Sequence, residues 1–338
     1  MRFLVILLGL CLPAFTVCYS QNTDPHDTTD IRSYPDHFFL WPVLKERSLN
    51  FAVRDLKTKE SVRYKPNNSF SLGMGAYVFD VAFEITFAIP VNDRNREIYG
   101  RSTARDLQVN ALGRRWGADL YTQRYSGFYS DDPFVAGGGR YPQRADITAR
   151  NTGLTGIYVF SPQHYSLRSA FNFSERQLVS GGSFMITATL NGFKMVADSA
   201  VLDTDELMSG SEFRKLRYTT FSVAPGYAYT FVRNNMFISG ALMAGPAHNW
   251  IHYQNEDSQG KNDIRFNTFA SLRLGVGYTT DSFFTGLNFV QQSRMVKFDD
   301  IRFTNNSSTF RLFVGFRFRE FGILKKGIGD LPRELMLL

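Results

Sequence analysis

The sequence predicts an all-β protein, an antiparallel transmembrane β-barrel of about 12–14 strands. Three observations carry this expectation. Runs of about ten residues alternate apolar and polar side chains through most of the chain, as strands do when one face meets lipid and the other water. The composition is 43 % hydrophobic and 15 % aromatic, with 32 Phe and 16 Tyr against 3 Trp, an unusually aromatic balance. After the first twenty residues no apolar run approaches the length of about 18 residues that a transmembrane helix needs.

The alternation can be followed in chain order. Strand-like runs begin at about 49–55 and 69–76. From Phe79 to Ile89 the apolar Phe79, Val81, Phe83, Ile85, Phe87 and Ile89 alternate with Asp80, Ala82, Glu84, Thr86 and Ala88, the cleanest pattern in the chain. Leu107, Val109 and Ala111 then alternate with Asp106, Gln108 and Asn110. A turn at Gly113-Arg114-Arg115 leads to a run from Trp116 that closes on Tyr125, Phe128 and Tyr129. A Gly-rich loop spans Ser130 to Ala145. Further strands are expected at about 146–160, 164–174, 182–192, 216–231, 235–250, 264–276 and 283–293. The final one, Phe310 to Phe318, alternates Phe310, Leu312, Val314, Phe316 and Phe318 with Arg311, Gly315 and Arg317. That ending suits handling by barrel-assembly machinery. The runs add to thirteen, whereas single-chain bacterial barrels have an even number. Either a strand hides in Lys194 to Val201 or one element has been split. A soluble β-sandwich also alternates, but its strands are usually about five or six residues long.

The ends of the chain indicate its address. Met1-Arg2, the apolar stretch Phe3 to Leu12 and the small residues Cys18 and Ser20 read as a cleavable secretory signal over 1–20. Residues 21–48 read as a leader and periplasmic entry segment, 49–321 as the barrel and 322–338 as a C-terminal tail. Both cysteines, Cys11 and Cys18, fall in the signal, so no disulfide framework or cysteine metal site is expected in the remainder. The formal charge of +7 is dispersed, and no nucleic-acid-binding motif accompanies it.

The segments YPDHFFLWP, RDLQVN followed by RRWGADLYTQRYSGFY, FNFSERQLVSGGSF and SVAPGYAYTFV resemble a family of Bacteroidota outer-membrane β-barrel proteins known as domain of unknown function 4421. They span about Tyr34 to Phe318. The resemblance implies an outer-membrane location, outer-membrane lipid as surroundings and a barrel fold. It implies no activity.

No catalytic, cofactor or metal site stands out. A barrel phospholipase needs a Ser/His pair with a group orienting the His. His164, beside Tyr165 and Ser166, falls in an expected turn. His248 and His252 have the i, i+4 spacing that joins two metal ligands on a helix, but here they end a strand, beside Trp250 and Tyr253. Gly137 to Gly139 lack the Lys-Ser/Thr of a phosphate loop. Asp299 and Asp300 read as a loop that would hold Ca²⁺ only with further oxygen ligands.

The informative feature is the inward face. The alternation points Asp80, Glu84, Asp106 and Asp119 inward from the early strands, and Arg150, Arg168, Arg265, Arg273, Arg311 and Arg317 from the later ones. The charges either pair and fill the lumen or set a field across a small aqueous pore. The expected function is an outer-membrane barrel of unassigned role, with a narrow channel or transport of small polar solutes as its concrete form. A lipid-modifying enzyme and a surface adhesion or scaffold barrel acting through its loops are the alternatives.

Overall fold

The computed structural model describes residues 30–78, 81–131, 140–201, 213–255 and 260–321. The signal, most of the leader, Asp80, Gly137 to Gly139 and the tail from 322 lie outside them. Fifteen strands are present in chain order among the described residues. They are β1 (Ile31–Ser33), β2 (His37–Asp55), β3 (Ser61–Lys65), β4 (Ser71–Val78), β5 (Val81–Ala88), β6 (Thr103–Leu112), β7 (Trp116–Ser130) and β8 (Gln143–Val159), then β9 (Glu175–Gln177) and β10 (Gly181–Val196). The last five are β11 (Phe213–Arg233), β12 (Met236–Asn255), β13 (Lys261–Thr279), β14 (Phe283–Phe298) and β15 (Ile301–Arg319). Two short helices, α1 (Asp93–Tyr99) and α2 (Leu167–Phe171), interrupt them.

Thirteen strands share one sheet, and ten of them close into an antiparallel ring. The ring runs β2, β15, β14, β13, β12, β11, β10, β8, β7, β3 and back to β2. The closed count is therefore ten, not the 12–14 expected from sequence. Two physical causes account for it. The run at 164–174 is not a strand: its middle is α2, capped by Ser166, whose Oγ accepts from Ser169 N at 2.9 Å. Lys194 to Val201 hides no further strand, because β10 simply continues to Val196. Second, β4, β5 and β6 lie in the wall but not in the ring, since β5 pairs only with β4 and β6 only with β7. The wall also starts earlier than residue 49, at His37, inside the segment read as an entry segment.

The interruption between β3 and β4 has a local cause. Pro66 cannot donate to a ladder, and Asn68 Nδ2 bonds Arg47 O at 2.6 Å, satisfying a carbonyl that a continuous strand would have bonded. Asn67 reaches the other way, with Nδ2 donating to Gly100 O at 2.7 Å. The chain end before β6 is thereby held against β3. On β7 a bulge falls at Gly127, whose φ of 81° suits glycine and where a Cβ would stand 2.3 Å from Arg101 O.

Side chains alternate as the period demands. On β10 Met185, Thr187, Thr189, Asn191 and Phe193 are buried, while Phe184 and Leu190 are exposed. Outward apolar side chains such as Phe231, Ile238, Leu242, Ile264 and Phe316 continue this exposed belt around the ring. Exposure of that many large apolar groups is unfavourable in water and favourable in hydrocarbon.

The interior is layered. At the end where the long loops lie, Leu49, Phe51, Phe193, Tyr218, Phe298 and Phe303 form an apolar cluster. At the opposite end, where β2 begins and β15 ends, Phe39, Trp41, Phe173, Phe237, Phe284 and Phe313 form another. The segment between β8 and β10 folds back into that end as a plug, burying Tyr165, Leu167 and Ala170 completely. Its β9 pairs with β1, so the N-terminal strand straps the plug in place. Each fully buried large apolar side chain stabilises such packing by about 1.5–3 kcal/mol. Polar side chains occupy the layer between.

A polar chamber behind a gap in the wall

The middle layer is built from the early strands and closed by the late ones. Trp41 on β2 lies flat over Gly75 on β4, a position where any Cβ would sit 2.0 Å from the indole. This close approach brings Trp41 Nε1 to 3.1 Å from Glu84 Oε1 on β5. Lys45 Nζ donates to the other carboxylate oxygen at 2.8 Å, and Arg311 from β15 completes the set. Arg311 also donates to Phe171 O at 3.1 Å, so the carboxylate cluster is tied to the plug.

Two further carboxylates follow. Asp106 on β6 accepts from Arg47 at 2.5 Å, Gln123 at 2.9 Å and Tyr125 at 3.2 Å. Asp119 on β7 pairs with Arg273 on β13 and accepts from Asn110 Nδ2 at 2.6 Å. The Asp119 and Arg273 side chains are only 3 % and 4 % exposed. Removing one partner of such a pair leaves an uncompensated buried charge, which costs about 3–5 kcal/mol. A chain of amides continues the network: Asn191 donates to Asn151 at 2.7 Å, and Asn151 to Gln123 at 2.8 Å. Arg294, fully buried, donates to Tyr121 Oη at 2.7 Å and to Gln292 Oε1 at 2.8 Å.

Between these groups lies a cavity of about 130 Å³, touched by Glu84, Asp106, Asp119, Arg273 and Arg311. Its remaining wall explains how it opens. Ala82 and Phe83 of β5 line one side, and Gln108, Asn110 and Leu112 of β6 the other. Phe83 belongs to the exposed outer face. Among the described residues no backbone hydrogen bond joins β5 to β6. The cavity therefore lies directly behind a seam in the wall that no backbone ladder closes. A second hollow of about 250 Å³ lies toward the loop end, against Arg47, Asn68, Thr86, Ser102 and Tyr125.

The other sequence-selected residues are placed elsewhere. Arg317 is buried at the plugged end, donating to Phe173 O at 2.8 Å and Thr280 O at 2.6 Å, with the Tyr34 ring centroid 4.4 Å from its guanidinium. Arg168 sits on α2, not on a strand, and meets Glu175 at 3.6 Å and Ser174 Oγ at 2.9 Å. Arg265 is at the loop-end rim, half exposed and paired with Asp263 at 2.8 Å. Arg150 faces outward: it is exposed, and the inward position beside it belongs to Ala149. The expectation of an inward Arg150 is thus corrected, because the buried register of β8 runs through Ile147, Ala149 and Asn151.

None of the described histidines joins the chamber. His164 bonds Asp30 at 2.8 Å, His248 packs against Trp250, and His252 bonds Asn262. Asp299 and Asp300 engage Tyr253 and Lys57 respectively. Among the described residues no His/Asp/Glu group is arranged to hold a metal ion. Lys45, Arg47 and Arg294 were missed from sequence. The first two share the parity of Leu49, Phe51 and Val53, a signal hidden by starting that strand at residue 49.

The family described as Domain of unknown function (DUF4421) matches residues 25–318. No curated protein matches the chain. Among solved structures it is similar to the outer membrane protease OmpT of Escherichia coli, with a TM-score of 0.42 and 9 % identity over 86 % of this chain and 100 % of that one. It is also similar to Ail, the attachment invasion locus protein of Yersinia pestis, with a TM-score of 0.22 and 14 % identity over 60 % and 97 %. The Pseudomonas putida toluene transporter TodX gives a TM-score of 0.19 and 8 % identity over 85 % and 92 %. At these identities no activity, substrate or partner passes from them to this chain.

Proposed function

The chain belongs to the family of domain of unknown function 4421, and on that premise we propose that it is a bacterial outer-membrane barrel that binds an anionic amphiphile through the side of its wall. One observation carries the reading: the polar chamber lies behind the seam between β5 and β6, where among the described residues no backbone hydrogen bond closes the wall, while apolar clusters lie toward both ends of the barrel. A free solute would have to cross those clusters. A molecule already in the bilayer would need only to slide its head past Phe83. Open sheet edges are not stable against hydrocarbon unless something satisfies them, and a polar head lodged between β5 and β6 supplies hydrogen-bonding groups there. The charge balance selects the sign. Lys45, Arg273 and Arg311 line the chamber against Glu84, Asp106 and Asp119. Two cations just behind the lining tip the balance: Arg47 bonds Asp106, and Arg294, with no carboxylate bonded to it among the described residues, bonds the lining Tyr121 and Gln292.

This reading differs from a channel for small polar solutes, which needs a continuous wet path along the axis. It also differs from a lipid-modifying enzyme: Ser307 touches the chamber but bonds Gln123 Oε1, and the histidines lie at the rims. The test uses refolded protein carrying W116F and W250F, so that Trp41 alone reports. Planar bilayers should stay silent, and a brominated fatty acid should quench Trp41 saturably. Arg311→Gln should weaken that quenching about tenfold, the loss of one charge-assisted hydrogen bond. Steady ion-selective openings of the unmodified protein, or quenching of Trp41 that never saturates, would overturn the proposal.

A further inference from the structure

A second charged feature lies on the outside of the barrel, away from the chamber. Arg105, Arg124, Arg150, Lys194 and Arg217 occupy directly opposed positions on five successive strands, β6, β7, β8, β10 and β11. All five are exposed. Adjacent strands lie about 4.8 Å apart, so the row extends about 20 Å across the sheet. Like charges placed directly opposite each other repel and destabilise a sheet, and here the repulsion repeats at four consecutive strand pairs. Among the described residues no ion pair relieves any of the five. The carboxylate nearest in sequence on that face, Asp146 of β8, is held by both prongs of Arg144 at 2.8 Å.

The surroundings of the row fit a phosphate. On the terminal-end side it is flanked by Thr122 and Thr152, joined at 3.1 Å, and on the loop side by Ser126 and Thr148, joined at 3.0 Å. Between Thr152 and Thr219 the row two positions below carries Gly192, where an added Cβ would have nothing nearer than 4.0 Å, leaving a shallow notch beside Lys194. Farther toward the terminal end the same face turns apolar, with Val109, Leu154, Leu190 and Phe221 exposed. Strands in such barrels tilt by about 35–45°, so the row climbs obliquely from the edge of this apolar belt into the polar zone above it. That is the depth at which lipid headgroups sit.

We propose that this row is a binding site for the phosphate groups of membrane lipids in the leaflet at the loop end. The phosphates bridge neighbouring cations, cancel their repulsion and draw further hydrogen bonds from the flanking hydroxyls. The occupant is a lipid, not a free anion, because the apolar belt directly below receives its acyl chains. Arginine favours this chemistry, since its planar fork pairs two-pronged with phosphate oxygens.

The experiment compares lipid preference of the full chain, its chamber first saturated with unlabelled fatty acid, in phosphatidylcholine vesicles doped with fluorescent phosphatidic acid or, at equal surface charge, a fluorescent fatty acid. Energy transfer from the protein should show phosphatidic acid enriched at its surface about tenfold over the fatty acid. The R124Q/R150Q/K194Q variant should lower that ratio to near one while folding to the same extent by heat-modifiable gel migration. K57Q/K59Q/K261Q, which removes the same charge from the loops, should leave it unchanged. Should the triple row variant fail to fold, Arg150→Gln alone must still lower the ratio and Arg150→Lys must largely retain it. Equal enrichment of the fatty acid, an equal loss in the loop variant, or displacement of the lipid by millimolar inorganic phosphate would overturn the proposal.

Discussion

The two sectors of the barrel wall are built differently. From β8 to β15 the ring strands are 16–21 residues long and pair along nearly their whole length. From β3 to β6 the wall strands are 5–10 residues long, broken at Pro66, and end in two edges that do not meet. Both sectors carry apolar residues outward, so lipid exposure does not distinguish them. What differs is the inward face. In the late sector at the middle level it is mostly Thr, Ser, Asn and Gln, groups that satisfy one another at short range, as Thr155 does with Thr189 at 3.0 Å. In the early sector it is carboxylate, and Glu84, Asp106 and Asp119 need cations brought from β2, β13 and β15. A sector whose side chains depend on the opposite wall has left room for a cavity, and the gap lies beside it.

Substitutions can break that comparison, beginning with the largest effect. Arg273→Met should destabilise the barrel by about 3–5 kcal/mol, because Asp119 is left charged and buried. The D119N/R273M double variant should recover most of the loss; urea unfolding in detergent or bilayers reads both. Next, Leu190→Lys in the continuous sector should cost about 2–4 kcal/mol near the midplane. Phe83→Lys should cost less, since its amine can turn through the gap toward Glu84; equal costs would mean the gap is closed. In amide exchange the free edges of β5 and β6 should exchange at least about tenfold faster than the interior of β11 and β12.

The smallest effect concerns the strap at the plugged end. Asp281 accepts from Arg32 at 2.8 Å, Arg176 at 2.9 Å and Tyr34 at 3.2 Å, joining β1, β9 and the turn before β14. Burial pushes its carboxyl up, but the hydrogen bond and charge of Arg32, with help from Tyr34 and Arg176, outweigh it and hold the group below the usual carboxylate range. A depressed folded pKa stabilises above the unfolded value of about 3.9 and is lost as pH falls through the folded one. Protection of β1 amides should therefore decline below about pH 4, and Asp281→Asn should abolish that pH dependence while leaving the ring folded.

Much of this was legible because strand periodicity is local. Phe83, Leu107 and Phe316 could be assigned outward from their neighbours alone, and all three lie on the exposed face. Glu84, Asp106, Asp119, Arg273 and Arg311 could be selected by the same parity, though their partners could not. Arg168 could not be placed, because the alternating Leu167, Phe171 and Phe173 serve a short helix and plug as well as a strand. Arg150 faces the opposite way to that expected, because its immediate neighbours Ala149 and Asn151 take the inward positions and the two-residue period leaves it the outward one.

The sequence by itself determined the all-β architecture and the sidedness of most strands, since both follow from a two-residue period written into contiguous segments. Tertiary structure alone decided that ten strands close, that residues 160–180 turn inward, and that β5 and β6 stay apart. Each of those outcomes depends on contacts between groups far apart in sequence, such as Glu84 with Arg311 and β1 with β9. Which distant partner wins is set by the closure of the ring, and no local pattern records it.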